Sequence, residues 1–314
     1  MDCAALPGRL YQSVPGFENH LLAELQKNAA GFSRIGPLVH DTGSFSGSVF
    51  WHQNCWLSPF RLEFSSINEA ASHLREIQRN WAACPHACFR RASLIASKLP
   101  PISAKPHVFP WQPGDSPVGA WLLLDEHTMV ASATCTSPFP NGAVEFEQDR
   151  EGPPSRAYIK LWEALARFRR QPAAGERCLD LGASPGGWTW ALAKLGANVL
   201  AVDQAPLEDR IASLPGVECL RRDAFTLKPQ DVGKLDWLFC DVACYPSKLY
   251  GLIEDWLASG LCRNFICTIK MQGNVAGGKV DFETPKRFAQ IPGSTVVHLY
   301  HNKHELTWMY SRDR

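Results

Sequence analysis

The sequence of 314 residues has almost no net charge, because 32 lysines and arginines face 31 aspartates and glutamates and leave a formal charge of +1. Such a balance creates no overall field that would attract the protein to nucleic acid or to an anionic membrane. It excludes an indiscriminate binder of polyanions. It leaves RNA binding open, since a local basic patch is enough for that.

Long apolar runs are also missing. No stretch approaches the roughly 20 consecutive apolar residues that a membrane-spanning helix needs. Residues 1–20 contain an early Asp2 and prolines without a sustained apolar core, so we expect no signal peptide. We therefore expect a cytoplasmic protein with no membrane partner.

Signs of disulfides or of a metal site are scarce, although the chain has 11 cysteines. In the absence of an export signal we expect reduced thiols. Cys84 with Cys88 and Cys240 with Cys244 have CxxxC spacing, but neither pair is accompanied by a second ligand pair at zinc-site spacing. His86 lies between the first two thiols, yet small buried thiols are the commoner use of cysteine, and we predict no metal.

The pattern of predicted elements changes near residue 150, which predicts two domains, 1–150 and 151–314. Short strands and two helices indicate that the first is a small α+β domain. Its helices are predicted at about 17–28 and 68–80, and its strands at 46–53, 60–65 and 119–127, the last running into 128–135.

Beyond residue 151, apolar strands alternate with helices, which is typical of a mostly parallel sheet covered on both faces. The last two apolar segments predict a C-terminal antiparallel hairpin. The fold class is therefore α/β, with the small α+β domain in front of it. The strand candidates are RCLDLG, NVLAVD, VECLRRDA, LDWLFCDV and NFICTIKM, followed by the hairpin segments TVVHLYHN and ELTWMYSR.

A glycine turn follows the strand that ends at Leu181 and precedes a helix, which is the ligand site of an open α/β sheet. Dinucleotide enzymes have G-x-G-x-x-G there, so that a pyrophosphate can bind free N–H groups. Here Ser184 replaces the second glycine and Pro185 removes a donor, which argues against a Rossmann oxidoreductase. The turn reads Gly182, Ala183, Ser184, Pro185, Gly186, Gly187.

Two carboxylates follow the next two strands and complete a cofactor pattern. Asp203 ends its strand about twenty residues after the turn, where it can accept hydrogen bonds from ribose hydroxyls. Asp223, after a third strand, can accept from an adenine amino group. A phosphate-free turn with these two acceptors predicts S-adenosylmethionine as the cofactor.

The segment DLGASPGGW (180–188) resembles the cofactor motif of the FtsJ-type RNA 2′-O-methyltransferases. Further blocks are similar, in the same order, to the bacterial ribosomal large-subunit methyltransferase M family. The resemblance covers most of 151–314 but only patches of the first 150 residues. The similar blocks are VPGFENHLLAEL, PSRAYIKLWEAL, VDQAP, LRRDAF, FCDV, DWLASGLCRNFICTIKM and LYHNKHELTWM.

The resemblance implies a Rossmann-like methyltransferase fold and an S-adenosylmethionine-dependent 2′-O-ribose methyltransferase. Its substrate would be large-subunit (23S-type) ribosomal RNA or a ribosome-assembly particle. The family's N-terminal region is ferredoxin-like and THUMP-like, and its shortened equivalent here is a candidate for docking RNA. The implied cofactor-binding residues are Gly182, Ser184, Pro185, Gly186, Gly187, Trp188, Asp203, Asp223 and Asp241.

The resemblance also implies a catalytic tetrad of Lys160, Asp241, Lys270 and Glu305. A ribose hydroxyl is a poor nucleophile and needs a base. A lysine, with a reference pKa of roughly 10.4, serves only if its charged form is disfavoured, and a second ammonium acts in that direction. We expect Lys270 to be the base and Asp241 to lie near the methyl sulfonium. Lys160 and Glu305 would then orient Lys270 and the ribose.

One departure from the family pattern and two other functions remain to be weighed. Ala157 stands where the family has a serine, so any contact of that hydroxyl with the cofactor is absent unless Ser155 replaces it. A cytosine C5 methyltransferase would use Cys240 or Cys244 as its nucleophile and would leave the tetrad without a purpose. A non-catalytic RNA-binding or assembly protein would have no need for all four tetrad residues.

Overall fold

We describe the protein from a computed structural model, which covers residues 3–28, 31–42, 47–103, 105–271 and 280–313. The chain forms two compact units. One comprises Met1–His107 and Pro113–Glu145, and the other comprises Val108–Gln112 and Phe146–Arg314. Over the described ranges, no helix is both long enough and apolar enough to span a membrane.

The first unit is α+β and contains two antiparallel-rich sheets. Within the described residues, the strand orders are β1-β6-β9-β8-β7 and β3-β4-β2-β5. The elements are β1 (Cys3–Ala5), β2 (Arg9–Gln12), α1 (Glu18–Asn28), β3 (Phe32–Ile35), β4 (Leu38–Asp41), β5 (Asn54–Trp56), β6 (Phe60–Glu63), α2 (Ile67–Ile77), β7 (Trp81–Ala83), α3 (Phe89–Ala96), β8 (Gly119–Leu123) and β9 (Thr128–Ser132).

The core of this unit lies on both sides of β8, whose successive side chains point to opposite faces of the sheet and are all buried. Trp121 and Leu123 pack with Leu74 of α2 on one face, whereas Leu122 on the other face packs with Leu10 of β2. The strand at 60–65 and both helices are thus found within a few residues of their predicted positions.

The predicted strand at 46–53 is wrong for its described residues, which are irregular up to β5. The reason lies in the backbone donors. The N–H groups of Phe50 and Trp51 donate to the buried carboxylate of Glu24, at 2.9 and 3.0 Å, instead of to a neighbouring strand. The apolar pattern of this segment reflects burial around that carboxylate, and Ser46 lies outside the described residues.

The second unit is an α/β sheet with the strand order β12-β11-β10-β13-β14-β16-β15 among the described residues. The elements are α4 (Ala157–Phe168), β10 (Arg177–Leu181), α5 (Gly187–Lys194), β11 (Asn198–Asp203), α6 (Asp209–Ala212), β12 (Val217–Arg221), α7 (Pro229–Val232), β13 (Leu235–Cys240), α8 (Pro246–Ser259), β14 (Cys262–Lys270), α9 (Glu283–Ala289), β15 (Ser294–Val297) and β16 (Glu305–Ser311).

This arrangement confirms the predicted fold class. Strands β10 to β14 are parallel, and the terminal hairpin of β15 and β16 inserts β16 antiparallel to β14. The chain runs outward from β10 to β11 and β12 on one side, then returns to β13 and β14 on the other. Ligands of such sheets bind at this reversal, beyond the carboxyl ends of the strands.

Substitution of Leu238 in β13 tests how much the buried centre of the sheet contributes to the stability of the second unit. The side chain of Leu238 is fully buried between β10 and β14. Truncation to alanine leaves a cavity, and we expect Leu238→Ala to lower the free energy of unfolding by about 2–5 kcal/mol in urea titrations. Cys219→Ala, at an exposed site on the edge strand β12, is the control and should change it by less than about 0.5 kcal/mol. Equal effects would contradict this packing.

Candidate active site

Four charged side chains meet at the carboxyl edge of the sheet and form a closed ring of alternating charge. Lys160 Nζ lies 2.9 Å from Asp241 Oδ1 and 2.8 Å from Glu305 Oε1. Lys270 Nζ lies 2.6 Å from Asp241 Oδ1 and 2.7 Å from Glu305 Oε2. The structure therefore brings together all four residues of the predicted tetrad.

Local structure explains why these four residues converge. Asp241 directly follows β13, and Lys270 is the last residue of β14. Glu305 is the first residue of β16 and is the register partner of Lys270. Lys160 reaches the same point from the first turns of α4, where its side chain passes 5.5 Å from the centre of the Trp188 ring.

The ring is shielded from water, and its charges determine one another's ionisation. The side chain of Lys160 is 8% exposed and that of Glu305 is 12% exposed. Burial alone would lower the pKa of Lys270, but the carboxylates of Asp241 and Glu305 outweigh it and raise that pKa above the ordinary value. Burial would likewise raise the pKa of Asp241, but Lys160 and Lys270 hold it below its usual range. Lys270 is therefore protonated at neutral pH in this state.

The glycine turn adopts backbone conformations that suit glycine. Gly182 has a φ of +78°, and a Cβ there would lie 2.8 Å from Cγ2 of Val242. Gly186 has a φ of +116°, and a Cβ there would lie 2.7 Å from Cγ2 of Ile211. A Cβ on Gly187 would meet the Ser155 hydroxyl at 2.5 Å. The turn is thus tightly packed from behind, as expected for a backbone that approaches a ligand closely.

The N–H of Ser184, at the position of the second glycine of the dinucleotide motif, is hydrogen-bonded within the protein. The N–H of Ser184 donates to Asp203 Oδ2 at 3.0 Å, and its hydroxyl donates to the carbonyl of Pro206 at 2.9 Å. The carbonyl of Pro185 accepts from the N–H of Glu208 at 3.1 Å. These bonds hold the turn against the end of β11 and leave the N–H of Ser184 unavailable to an anion.

The remaining predicted cofactor residues lie at neighbouring strand ends. Asp203 also accepts from the N–H of Ala205 at 2.9 Å, and Asp223 accepts from the N–H of Phe225 at 3.0 Å. Both carboxylates are partly exposed, and each keeps lone pairs for further donors. Trp188 is buried, and its Nε1 donates to the carbonyl of Ala157 at 2.9 Å. Its indole thus has a hydrogen bond within the protein and supports the position of Lys160.

Asp180 was missed by the sequence analysis, although it lies two residues before Gly182. It is fully buried, and its Oδ2 accepts from the Thr189 hydroxyl at 2.6 Å, which joins β10 to α5. Its Oδ1 has no hydrogen-bond partner among the residues that the structure describes. Burial raises the pKa of Asp180 to about 7. The signal available in the sequence was an acidic residue inside an otherwise apolar strand.

Glu163 and His301 were also missed. Glu163 is fully buried, and its carboxylate accepts from the N–H groups of Tyr300 and His301, at 2.8 and 2.9 Å, and from His301 Nδ1 at 2.8 Å. His301 lines a cavity of about 530 Å³ together with Lys160, Lys270 and Glu305. A carboxylate within a buried helical face was the only sequence signal for this pair.

The two thiols of the alternative cytosine C5 mechanism are poorly suited to nucleophilic attack. Cys240 is fully buried, and burial raises the pKa of its thiol well above the ordinary value. Cys244 is also buried, and its thiol pKa is raised for the same reason. A nucleophilic cysteine instead needs a lowered pKa and access to its substrate. Across the described parts of the chain, no group of three or more His, Cys, Asp or Glu side chains is placed to hold a metal.

The raised pKa of Asp180 makes a prediction about stability. The folded state binds the proton more tightly than the unfolded chain does, so ionising Asp180 destabilises the fold as the pH rises from about 4 to about 7. Asp180→Asn keeps an acceptor for Thr189 and removes this penalty, which amounts to roughly 4 kcal/mol for about three pKa units. We expect the melting temperature of the variant to gain on the wild type as the pH increases from 4 to 8. A difference independent of pH would show that Asp180 has no raised pKa.

Comparison with known proteins places the chain in a family. The FtsJ-like methyltransferase model matches residues 153–284. The ribosomal RNA large subunit methyltransferase M of Azoarcus sp. strain BH72 is 36% identical over 182 residues, covering 54% of this chain and 49% of that protein. The protein of the same name from Xanthomonas axonopodis pv. citri is 30% identical over 257 residues, covering 78% and 70%.

Among solved structures, the fibrillarin pre-rRNA processing protein of Methanococcus jannaschii is 21% identical with a TM-score of 0.37, covering 48% of this chain and 74% of that one. The chain spans about half the length of the first curated relatives that it matches. The match to the Xanthomonas protein nevertheless extends through most of both sequences and confirms the resemblance seen in the motifs. The chain belongs to the ribosomal RNA large subunit methyltransferase M family, a group of FtsJ-like methyltransferases.

Proposed function

We propose that this protein transfers a methyl group from S-adenosylmethionine to a ribose 2′-hydroxyl of large-subunit (23S-type) ribosomal RNA. The observation that carries the proposal is the closed ring of Lys160, Asp241, Lys270 and Glu305 beside a phosphate-free glycine turn. The relatives' names, which specify ribosomal RNA of the large subunit, support the choice of substrate. The protein would work in the cytoplasm, on this RNA or on a ribosome-assembly particle.

The residues at the carboxyl edge fit the proposed cofactor. When bound, S-adenosylmethionine supplies an electrophilic methyl group on a sulfonium cation. Asp203 and Asp223 offer acceptors for its ribose hydroxyls and its adenine amino group, and Asp241 offers a negative charge to the cation. Gly182, Ser184, Pro185, Gly186 and Gly187 would form the wall of the site, and the buried Trp188 would back it.

Lys270 acts on the acceptor ribose and must first lose its proton. In the ring it is held protonated by Asp241 and Glu305, at 2.6 and 2.7 Å. A cationic cofactor held near Asp241 would offset part of that carboxylate's charge and would thereby lower the pKa of Lys270. Lys160 remains bound to both carboxylates and fixes their positions. Lys270 can then accept the proton of the 2′-hydroxyl as the methyl group is transferred.

The first unit would dock the RNA. The first 150 residues of the chain correspond only in patches to the family's ferredoxin-like and THUMP-like region, so we propose a reduced docking surface. A non-catalytic RNA-binding or assembly protein on the same scaffold is the competing function. An intact ring, in which Lys160 is buried and Lys270 is partly buried, weighs against it, because burial of charges is costly unless every partner is retained.

Methyl transfer from labelled S-adenosylmethionine to unmodified large-subunit ribosomal RNA tests the proposed function. Nucleoside analysis of the product should find a labelled 2′-O-methyl nucleoside. Lys270→Ala should reduce turnover at least about 100-fold because the base is lost, with cofactor affinity changed by less than about threefold. Lys234→Ala, at an exposed site near the start of β13, is the matched control and should retain full activity.

Three outcomes would contradict parts of this account. Equal turnover by wild type and Lys270→Ala would remove lysine as the base. Label on a base instead of a ribose would change the acceptor. Cofactor binding without transfer to naked RNA or to assembly particles would favour the non-catalytic function.

The raised pKa of Lys270 also predicts the pH dependence. The ratio kcat/KM for RNA reports ionisations of the free enzyme. With subsaturating cofactor, only the small deprotonated fraction of Lys270 is competent, so kcat/KM should rise about tenfold per pH unit between pH 7 and pH 9. With saturating cofactor, the rising part of the kcat/KM profile should move to lower pH. A profile that is flat over this range would show that deprotonation of Lys270 does not limit the reaction.

A further inference from the structure

The wall of the cavity beside the ring has more cationic side chains than the two carboxylates of the ring can balance. Its wall includes the cationic side chains of Arg156, Lys160, Lys270 and Lys303, and also His301. Lys160 and Lys270 are balanced by the two carboxylates of the ring. Arg156 and Lys303 are exposed, and neither side chain has a hydrogen bond or ion pair within the described part of the chain. Two positive charges are therefore left facing this cavity.

The segment that carries Lys303 is fixed in place by buried hydrogen bonds. The carboxylate of Glu163 binds the N–H groups of Tyr300 and His301 and the ring of His301. The carbonyl of Lys303 accepts from His298 Nε2 at 3.0 Å. The backbone at Lys303 thus has a defined position next to the ring, even though its ammonium group is exposed to solvent.

The backbone position of Arg156 is fixed by α4, the helix that carries Lys160. This residue immediately precedes α4, whose next turns supply Lys160 to the ring and Glu163 to the Tyr300–His301 segment. Arg156 lies at the start of α4 and Lys303 lies in the segment before β16, and both line the same cavity. The hydrogen bonds of Glu163 join these two parts of the chain. Two cationic side chains on one cavity wall can each donate a charge-assisted hydrogen bond to the same anion.

We propose that Arg156 and Lys303 bind the RNA phosphodiester adjacent to the ribose that is methylated. The inference rests on the proposed function and assigns the recognition of the target backbone to this cavity.

The methionine carboxylate of the cofactor is the other available anion. We assign the site to RNA because the described wall contains Lys270, which would act on the acceptor ribose, and no residue of the glycine turn or of the strand ends at Asp203 and Asp223. The wall also includes Ser155 and Ala157, whose positions the family resemblance links to the cofactor, so the test measures the KM for both substrates.

The test compares Arg156→Gln, Lys303→Gln and the double variant in steady-state methylation of transcribed large-subunit ribosomal RNA, across a series of KCl concentrations. Each single variant should raise the KM for RNA roughly tenfold, the value of one charge-assisted contact. Each should also reduce the slope of log affinity against log salt by roughly 0.7 to 0.9. Arg156→Lys should recover part of the loss, and kcat and the KM for S-adenosylmethionine should stay within about twofold. Lys234→Gln serves as the control for loss of a distant surface charge.

The outcomes separate this inference from the proposed function. An increase in the KM for S-adenosylmethionine instead of RNA would assign the cations to the cofactor carboxylate and overturn the phosphate site. An unchanged KM and salt slope in the double variant would also overturn it. If the wild type methylates no RNA, the proposed function fails. Equilibrium binding of the same RNA then decides the phosphate site through the salt slope of the same variants.

Discussion

The ring formed by Lys160, Asp241, Lys270 and Glu305 is the interaction on which the rest of the second unit depends. Each carboxylate contacts both lysines, so none of the four charges is buried without two partners. Removing one partner of a buried pair commonly costs about 3–5 kcal/mol, because the other charge stays desolvated. The ring can therefore exist only where α4, β13, β14 and β16 converge, which ties the fold to the chemistry.

A second polar contact repeats this logic one helical turn along α4. Glu163 follows Lys160 by three residues, which places the two side chains on neighbouring turns of one helix face. Lys160 binds the first residue of β16, whereas Glu163 binds the segment that leads into it. The helix thus fixes both Glu305 of the ring and the wall of the cavity beside it. Under the proposed function, movement of α4 would disturb methyl transfer and RNA positioning together.

The sequence allowed accurate prediction of the second unit because its signals are local. Apolar strands alternate with helices in this part of the sequence. The glycine turn and the aspartates follow successive strands, and the ends of parallel strands lie at the same edge of the sheet. The tetrad came from motif resemblance, since residues as far apart as Lys160 and Glu305 meet only through the sheet order. The incorrectly predicted strand at 46–53 shows the opposite case. Its backbone N–H groups bind Glu24, a partner more than twenty positions away that no local pattern reveals.

The residues that were missed share one property. Their side chains form hydrogen bonds to backbone or side-chain atoms that are distant in sequence, as seen for Asp180, Glu163 and His301. In a hydrophobicity pattern such residues are only polar positions within apolar segments. The protonation state of Lys270 was similarly out of reach. Composition indicates that two lysines and two carboxylates are present, but only their distances show that the carboxylates prevail and keep Lys270 charged.

Under the proposed function, Lys270 can act as the base only if the charge of the cofactor lowers its pKa. The most direct measurement is the pKa of Lys270 by NMR of the protein with carbon-13-labelled lysine, with its signal assigned by its loss in Lys270→Arg. It would be measured with S-adenosylmethionine, which is a sulfonium, and with S-adenosylhomocysteine, whose sulfur is neutral. We expect a distinctly lower pKa for Lys270 in the sulfonium complex. Identical values in the two complexes would contradict it.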